Sequence, residues 1–109
     1  MRLRHATLAR NVGSIKAAGL LTSKSRGKLP VVWFHAPTKS AWAVLHTVKR
    51  HGGRVENVVI VEADVPRSWL RRSKRGLWFC KRDVSPERFA ALLTFSELAA
   101  SPVSDAPAH

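Results

Sequence analysis

The sequence predicts an α+β domain with a small split antiparallel sheet, one main helix and short flanking helices. The chain has 109 residues, which is the usual size of a single folded domain. Short β-branched and aromatic runs dominate, and the few helical patterns come early, which favours α+β over a doubly wound α/β sheet. The sequence contains no glycine-rich phosphate loop.

Five segments have the composition or alternation of strands. They are residues 2–7, 31–35, 57–65, 77–81 and 89–95. The run Val58-Val59-Ile60-Val61 is continuous enough to be covered on both faces, so we expect 57–65 at the centre of the sheet. The segment 89–95 fits a strand or a helix, and we favour a final strand with Ser96 capping a last turn.

Two segments are predicted to be helical. A short helix follows Asn11 as N-cap and ends at Gly19, and the main helix covers 40–51 with Thr38 or Ser40 as its cap. The core stripe of the main helix is predicted to be Ala41, Val44, Leu45 and Val48. Residues 67–75 suggest one helical turn followed by a basic loop, and Ser85-Pro86 suggests the start of another turn.

The charge is the most unusual property of the chain. Nineteen Lys and Arg against seven Asp and Glu give a net charge of +12, which predicts a polyanionic partner, either DNA or RNA. A basic protein that contacts an acidic protein partner is compatible with the same charge. The basic residues most concentrated along the chain, and our candidates for phosphate contacts, are Arg67, Arg71, Arg72, Lys74 and Arg75. The interleaved Trp69 and Trp78 fit either base stacking or the core.

The remaining composition bears on location and metal binding. Cys80 is the only cysteine, so it has no disulfide partner, and no window is apolar enough to span a bilayer. We therefore expect a cytoplasmic protein without a membrane segment. His46 and His51 lie five residues apart, which does not suit metal ligands on one helix, so no metal site is predicted.

Several short motifs together resemble small ADP-ribosyltransferase-fold proteins. The opening His5-Ala6-Thr7, Asn11, Ser14-Ile15 and Gly19-Leu20 is similar to the openings of RNA 2′-phosphotransferases and DNA-modifying toxins. The run Val31–His35 resembles their second strand, and the segment from Asp83 to Phe89 resembles a late proline-containing segment. Order and spacing match over residues 3–95. The resemblance implies one ADP-ribosyltransferase-like domain over residues 1–100. The remaining residues, 101–109, are predicted to be a disordered tail.

The resemblance implies a site for NAD. It places the nicotinamide ribose and amide on His5, Ala6 and Thr7. We expect the site in a cleft between the first strand and the 31–35 strand, where His35 also reaches the ligand. The alternative for His5 is a strand-end histidine that hydrogen-bonds to the backbone.

One departure from the family pattern affects the expected activity. The residues before Asp83 contain no carboxylate where transferases of this fold usually carry a glutamate. Two interpretations follow. The chain is an ADP-ribosyltransferase or RNA 2′-phosphotransferase-like enzyme that acts on nucleic acid through basic residues, with His5 and Arg71 as catalytic candidates, or it is a non-catalytic basic module that binds nucleic acid.

Overall fold

The β-branched and aromatic runs form the strands of one antiparallel sheet. The computed structural model describes residues 1–25, 27 and 29–100. In this part of the chain the strands are β1 (Arg2–Leu8), β2 (Val32–His35), β3 (Val58–Asp64), β4 (Leu70–Lys74), β5 (Leu77–Cys80) and β6 (Phe89–Thr94). Their order is β4-β5-β2-β1-β3-β6, with every neighbouring pair antiparallel. The predicted α+β class is confirmed.

Strand β3 is covered on both faces, as predicted, but it is not at the middle of the sheet. Val58 and Ile60 are fully buried on one face, and Val61 and Ala63 are fully buried on the other. The strand pairs with β1 on one side and with the edge strand β6 on the other, so β1 and β2 occupy the middle. A strand can be apolar throughout wherever both faces of the sheet are covered by other parts of the protein. Here both faces are covered at β3, which lies next to the edge strand β6.

Three helices accompany the sheet: α1 (Val12–Ala18), α2 (Ser40–His51) and α3 (Phe95–Ala100). Ile15 of α1 packs against one face, which we call the α1 face, together with Leu3 and Phe34. Val44 of α2 packs against the opposite face, which we call the α2 face, together with Leu8. Helix α2 lies over β1 and β3 and leaves β2, β5 and β4 outside its main contacts.

The bounds predicted for the main helix are confirmed, but its predicted core stripe is wrong. The buried side chains are Ser40, Ala43, Val44 and Thr47. Ala41 is exposed and Leu45 is 64% exposed, whereas Val48 is half-buried. The buried stripe has the expected i, i+3, i+4, i+7 spacing but starts one residue earlier. Small and polar side chains occupy it because Ser40 and Thr47 find hydrogen-bond acceptors in the carbonyls of Pro37 and Ala43.

The basic segment is a strand where a loop was predicted. One 3-10 turn, Arg67–Trp69, begins the segment as expected, but Leu70 to Lys74 then pair with β5. Leu70 is buried and lies opposite the fully buried Cys80, which anchors the strand in the core. The charged residues that follow are compatible with a strand because β4 is at the sheet edge.

The ends of the helices differ in how well they were predicted. Gly19 ends α1 with φ of 94°, as expected for a glycine after a helix. Asn11 makes no capping hydrogen bond; its amide instead donates to Thr7 Oγ1 at 3.2 Å. The last helix is capped by Thr94 and Glu97, and not by Ser96. The side-chain oxygen of each of these two residues accepts a hydrogen bond from the backbone N–H of the other.

The tail predicted over 101–109 lies outside the described residues.

Candidate nucleic-acid interface and the predicted nucleotide site

The five predicted phosphate-binding residues lie together on one hairpin. Arg67 lies in the turn before β4, the next three lie on β4, and Arg75 lies in the turn to β5. All five are exposed. Gly76 completes the turn with φ of 73°, and its missing side chain leaves room for the aliphatic part of Lys39. The hairpin therefore displays exposed cations on both sides of the sheet, with Arg71 and Lys74 on the α2 face and Arg72 on the α1 face.

The hairpin cations are not neutralised by carboxylates in the described part of the chain. The ion pairs found there join Arg2 to Glu62 and Asp64, and Arg4 to Glu62, on the far side of β1. The guanidinium of Arg72 instead lies over the Trp78 ring, 5.8 Å from its centroid. The positive charge of the hairpin thus remains available to an external anion.

Trp69 and Trp78 belong to the packing of the α1 face. Of the two sequence interpretations, base stacking or core, this agrees with the core. Both are half-buried and pack against its core. The guanidinium groups of Arg82 and Arg88 lie 4.9 and 4.5 Å from the Trp69 ring centroid. These rings therefore hold arginine side chains in place as cation–π partners.

His5 lies on β1 with its side chain on the α1 face. Its Nδ1 is 2.6 Å from the carbonyl oxygen of Trp33, and its ring meets Phe34 edge-on. A carbonyl oxygen only accepts hydrogen bonds, so Nδ1 carries the proton and Nε2 carries the lone pair. Burial lowers the pKa of His5, an effect that the bond to Trp33 partly offsets, so the imidazole is neutral near pH 7. This is the backbone hydrogen bond that the alternative interpretation of His5 required.

His35 lies on the neighbouring strand but on the opposite face. It pairs with Arg4 across β1 and β2, so both side chains are on the α2 face. His35 is only 4% exposed, and its buried Nε2 has no hydrogen-bond partner among the described residues. Burial lowers its pKa to about 3, with further lowering from His5 and the Arg4 charge.

The structure separates the other members of the predicted nucleotide site. Ala6 packs on the α2 face, and Thr7 is buried on the α1 face. Strands β1 and β2 are adjacent in the sheet and pair through Arg4 and His35. Arg71 is three strands away from His5 along the sheet order and, through its pairing with Phe79, lies on the α2 face. The two predicted catalytic residues are therefore not brought together.

Two shallow depressions of the described residues lie away from the predicted nucleotide site. One shallow depression of about 260 Å³ is lined by Leu8, Ala9, Arg10, His51, Gly52, Gly53 and Asn57. A second, of about 380 Å³, is lined by Leu29, Pro30, Val31 and Lys81 at the ends of β2 and β5. Neither includes His5, Thr7 or His35. Within the described ranges, no three His, Cys, Asp or Glu side chains are grouped as metal ligands would be, and no helix has the length and apolarity to cross a bilayer.

Sequence reasoning missed one exposed aromatic residue. Trp33 was included in a buried strand, yet it is 42% exposed, and its ring packs 5.3 Å from that of Phe79. The signal is the strand period of two: if Val32 and Phe34 face the core, Trp33 between them must face the other side.

No protein-family model matches the sequence, and no curated protein matches it.

Proposed function

We propose that this protein binds nucleic acid, with the β4–β5 hairpin as its phosphate-contacting surface. The observation that carries the proposal is the set of exposed cations on this hairpin, none of which pairs with a carboxylate of the described residues. Guanidinium groups bind phosphate oxygens in a bidentate manner, and each phosphate that is neutralised releases counterions. The net charge of +12 favours association with any nucleic acid, and the hairpin concentrates five exposed cations within nine residues of the chain.

The proposal is tested by salt titration of binding to labelled DNA and RNA. We expect Arg71→Ala and Arg75→Ala each to weaken binding and to reduce the log–log salt slope by about 0.9 on duplex DNA or about 0.7 on single strands. The matched control is Lys16→Ala, which removes an exposed charge from α1. Absence of binding at low salt would contradict the proposal, as would a Lys16 variant that lowers the slope as much as the hairpin variants.

A second candidate function is binding of NAD or a related nucleotide at His5, as the resemblance to ADP-ribosyltransferases implies. It is supported by the neutral His5 imidazole, whose Nε2 lone pair suits a ribose hydroxyl donor. NAD would supply the ADP-ribosyl group for a transferase acting on nucleic acid. The residues fit recognition only, because no carboxylate of the described residues bonds to His5, and four of the six described carboxylates, Glu62, Asp64, Asp83 and Glu97, are held by other partners.

Calorimetric titration with NAD tests this second candidate. We expect His5→Ala to weaken binding by about 1–3 kcal/mol while His46→Ala, an exposed histidine on α2, leaves it unchanged. A wild-type protein that does not bind NAD, or a His5 variant that binds it equally well, would exclude the candidate.

We also infer a cytoplasmic location, which is supported by the free, fully buried thiol of Cys80.

A further inference from the structure

The α2 face of the sheet has an open half, formed by β2, β5 and β4. Helix α2 packs over β1 and β3, so the strands beyond β1 are left outside its main contacts. This half presents to solvent the 42% exposed Trp33 and, beside it, the half-buried Phe79; the two rings lie 5.3 Å apart at an angle of 53°. We call this half the open sheet face.

The aromatic pair continues into positive charge along the same row. Trp33 pairs with Phe79, and Phe79 pairs with Arg71, so three neighbouring strands contribute one aligned row of two rings and a guanidinium. Lys74, which pairs with Leu77, stands on the same side one row further along. In the opposite direction along the strands, Lys81 follows β5 and lines a depression with Leu29, Pro30 and Val31 at the ends of β2 and β5.

The chemistry of this row suits a chain that carries both flat apolar rings and regularly spaced negative charges. Exposed aromatic rings stack on bases of any sequence, and cations beside them bind the phosphates. A single-stranded nucleic acid offers the faces of its bases in this way, whereas a duplex keeps those faces stacked on each other and offers its phosphates and the base edges in its grooves. A purely apolar partner would not account for Arg71 in the row or for Lys74 and Lys81 beside it, none of which pairs with a carboxylate of the described residues.

We propose that the open sheet face is a stacking platform for single-stranded nucleic acid, with bases on Trp33 and Phe79 and phosphates on Arg71, Lys74 and Lys81. This inference rests on the proposed nucleic-acid binding and deepens it by naming the form of nucleic acid and the base-contacting residues. It assigns Trp33 a role that neither the hairpin charges nor the predicted NAD site requires.

The test uses the full chain and labelled oligo(U), oligo(dT) and a duplex, each of about 12 nucleotides per strand. We expect Trp33→Leu to weaken binding to single strands roughly 5- to 150-fold, the range that corresponds to loss of one stacked base. Duplex affinity and the salt slope should be unchanged, because no phosphate contact is removed. Trp33→Phe should retain much of the affinity, since it keeps a ring.

The matched control is Trp42→Leu. Trp42 is 45% exposed, close to the 42% of Trp33, but it stacks on His46 at 4.8 Å. It is two residues from both Ser40 and Val44, which places it on the side of α2 away from the sheet. Thermal unfolding of both variants checks that neither change disturbs the fold.

The outcomes separate this inference from the proposed function. If Trp33→Leu binds single strands like the wild type while Arg71→Ala reduces the salt slope, the platform is wrong and the phosphate-binding hairpin stands. If Trp33→Leu and Trp42→Leu weaken binding equally, or if duplex and single-strand affinity fall together, the platform is also wrong. If the wild type binds none of the three probes at low salt, both proposals fall.

Discussion

The imidazoles of His5 and His35 lie on opposite faces of the sheet, although their strands are neighbours. Arg4 is the residue of β1 that pairs with His35, and His5, one residue further, points to the other side. A single small ligand in contact with one imidazole is therefore separated from the other by the sheet itself. The two histidines belong to separate environments, and substitutions at them should have separable effects.

His35 should make the stability of the protein depend on pH. Its pKa falls from 6.5 to about 3 on folding, so the unfolded chain binds a proton that the folded chain does not, and stability is lost as the pH falls below 6.5. Between pH 7 and pH 5 we expect a loss of about 2 kcal/mol in unfolding free energy from this group. Urea unfolding at several pH values measures it.

A His35→Gln variant should show a smaller loss over the same pH range. It should not show none, because the pKa of His5 is also lowered and acts in the same direction. The carboxyls of Asp64, Asp83 and Glu97 have pKa values lowered by their hydrogen bonds, so they act at more acidic pH. An unchanged pH profile for His35→Gln would show that the buried ring is not the source.

Two glycines should respond in opposite ways to substitution by alanine. Gly19 has φ of 94° and ψ of −169°, and an added Cβ would clash with the carbonyl oxygen of Val84. We expect Gly19→Ala to destabilise the protein by about 1–3 kcal/mol or more. Gly13 lies within α1 with open space around it, so Gly13→Ala should stabilise by about 0.5–1 kcal/mol. Thermal unfolding of the pair decides whether the backbone at Gly19 is as restricted as its geometry implies.

The two adjacent apolar residues of α2 should differ sharply in their tolerance of charge. Val44 is 2% exposed and Leu45 is 64% exposed. Val44→Asp would place a carboxylate in the α2-face core, and we expect it to prevent folding. Leu45→Asp should change the melting temperature by only a few degrees at most, since surface changes typically lie within about 0.5 kcal/mol. Circular dichroism melts of the two variants test the observed orientation of the helix.

The Arg4–Glu62 ion pair should be costly to break from one side. Arg4 Nε donates to Glu62 at 2.9 Å, and Arg4 is 8% exposed. Glu62→Gln leaves a buried guanidinium without its counter-charge, which we expect to cost about 3 kcal/mol. The double variant Arg4→Met, Glu62→Leu should recover most of this loss, because no buried charge remains. Chemical unfolding of the wild type, Arg4→Met, Glu62→Leu and the double variant completes a double-mutant cycle and gives the coupling; additive losses would show that the pair is not coupled.

The fold was largely predictable because its strands are marked by local composition. The runs at 31–35 and 57–65 became β2 and β3 with nearly the predicted ends, and the helix from Ser40 to His51 has the predicted bounds. The orientation of that helix was not predictable from hydrophobicity alone. Its buried Ser40 and Thr47 are satisfied by the carbonyls of Pro37 and Ala43, three and four residues earlier, so polar residues can occupy the buried stripe where hydrophobicity points to Ala41 and Leu45.

The candidate site was harder to predict because it depends on strand order and on which side each residue faces. The five cationic residues from Arg67 to Arg75 lie within nine positions, so their location on one hairpin follows from the sequence. Trp33 and Phe79 are 46 positions apart, and only the pairing of β2 with β5 brings them together. The same pairing cannot be read from composition, since any two short apolar strands could be neighbours.

The edge position of β4 gives its cations a consequence for self-association. A strand with one unpaired side is a template on which a second copy of the chain can add its own edge strand. Arg71, Arg72 and Lys74 occupy most of β4, so two such edges brought side by side would set like charges against each other. The residues that attract phosphate therefore also keep copies of this protein apart, and neutralising them by mutation would remove that barrier to aggregation.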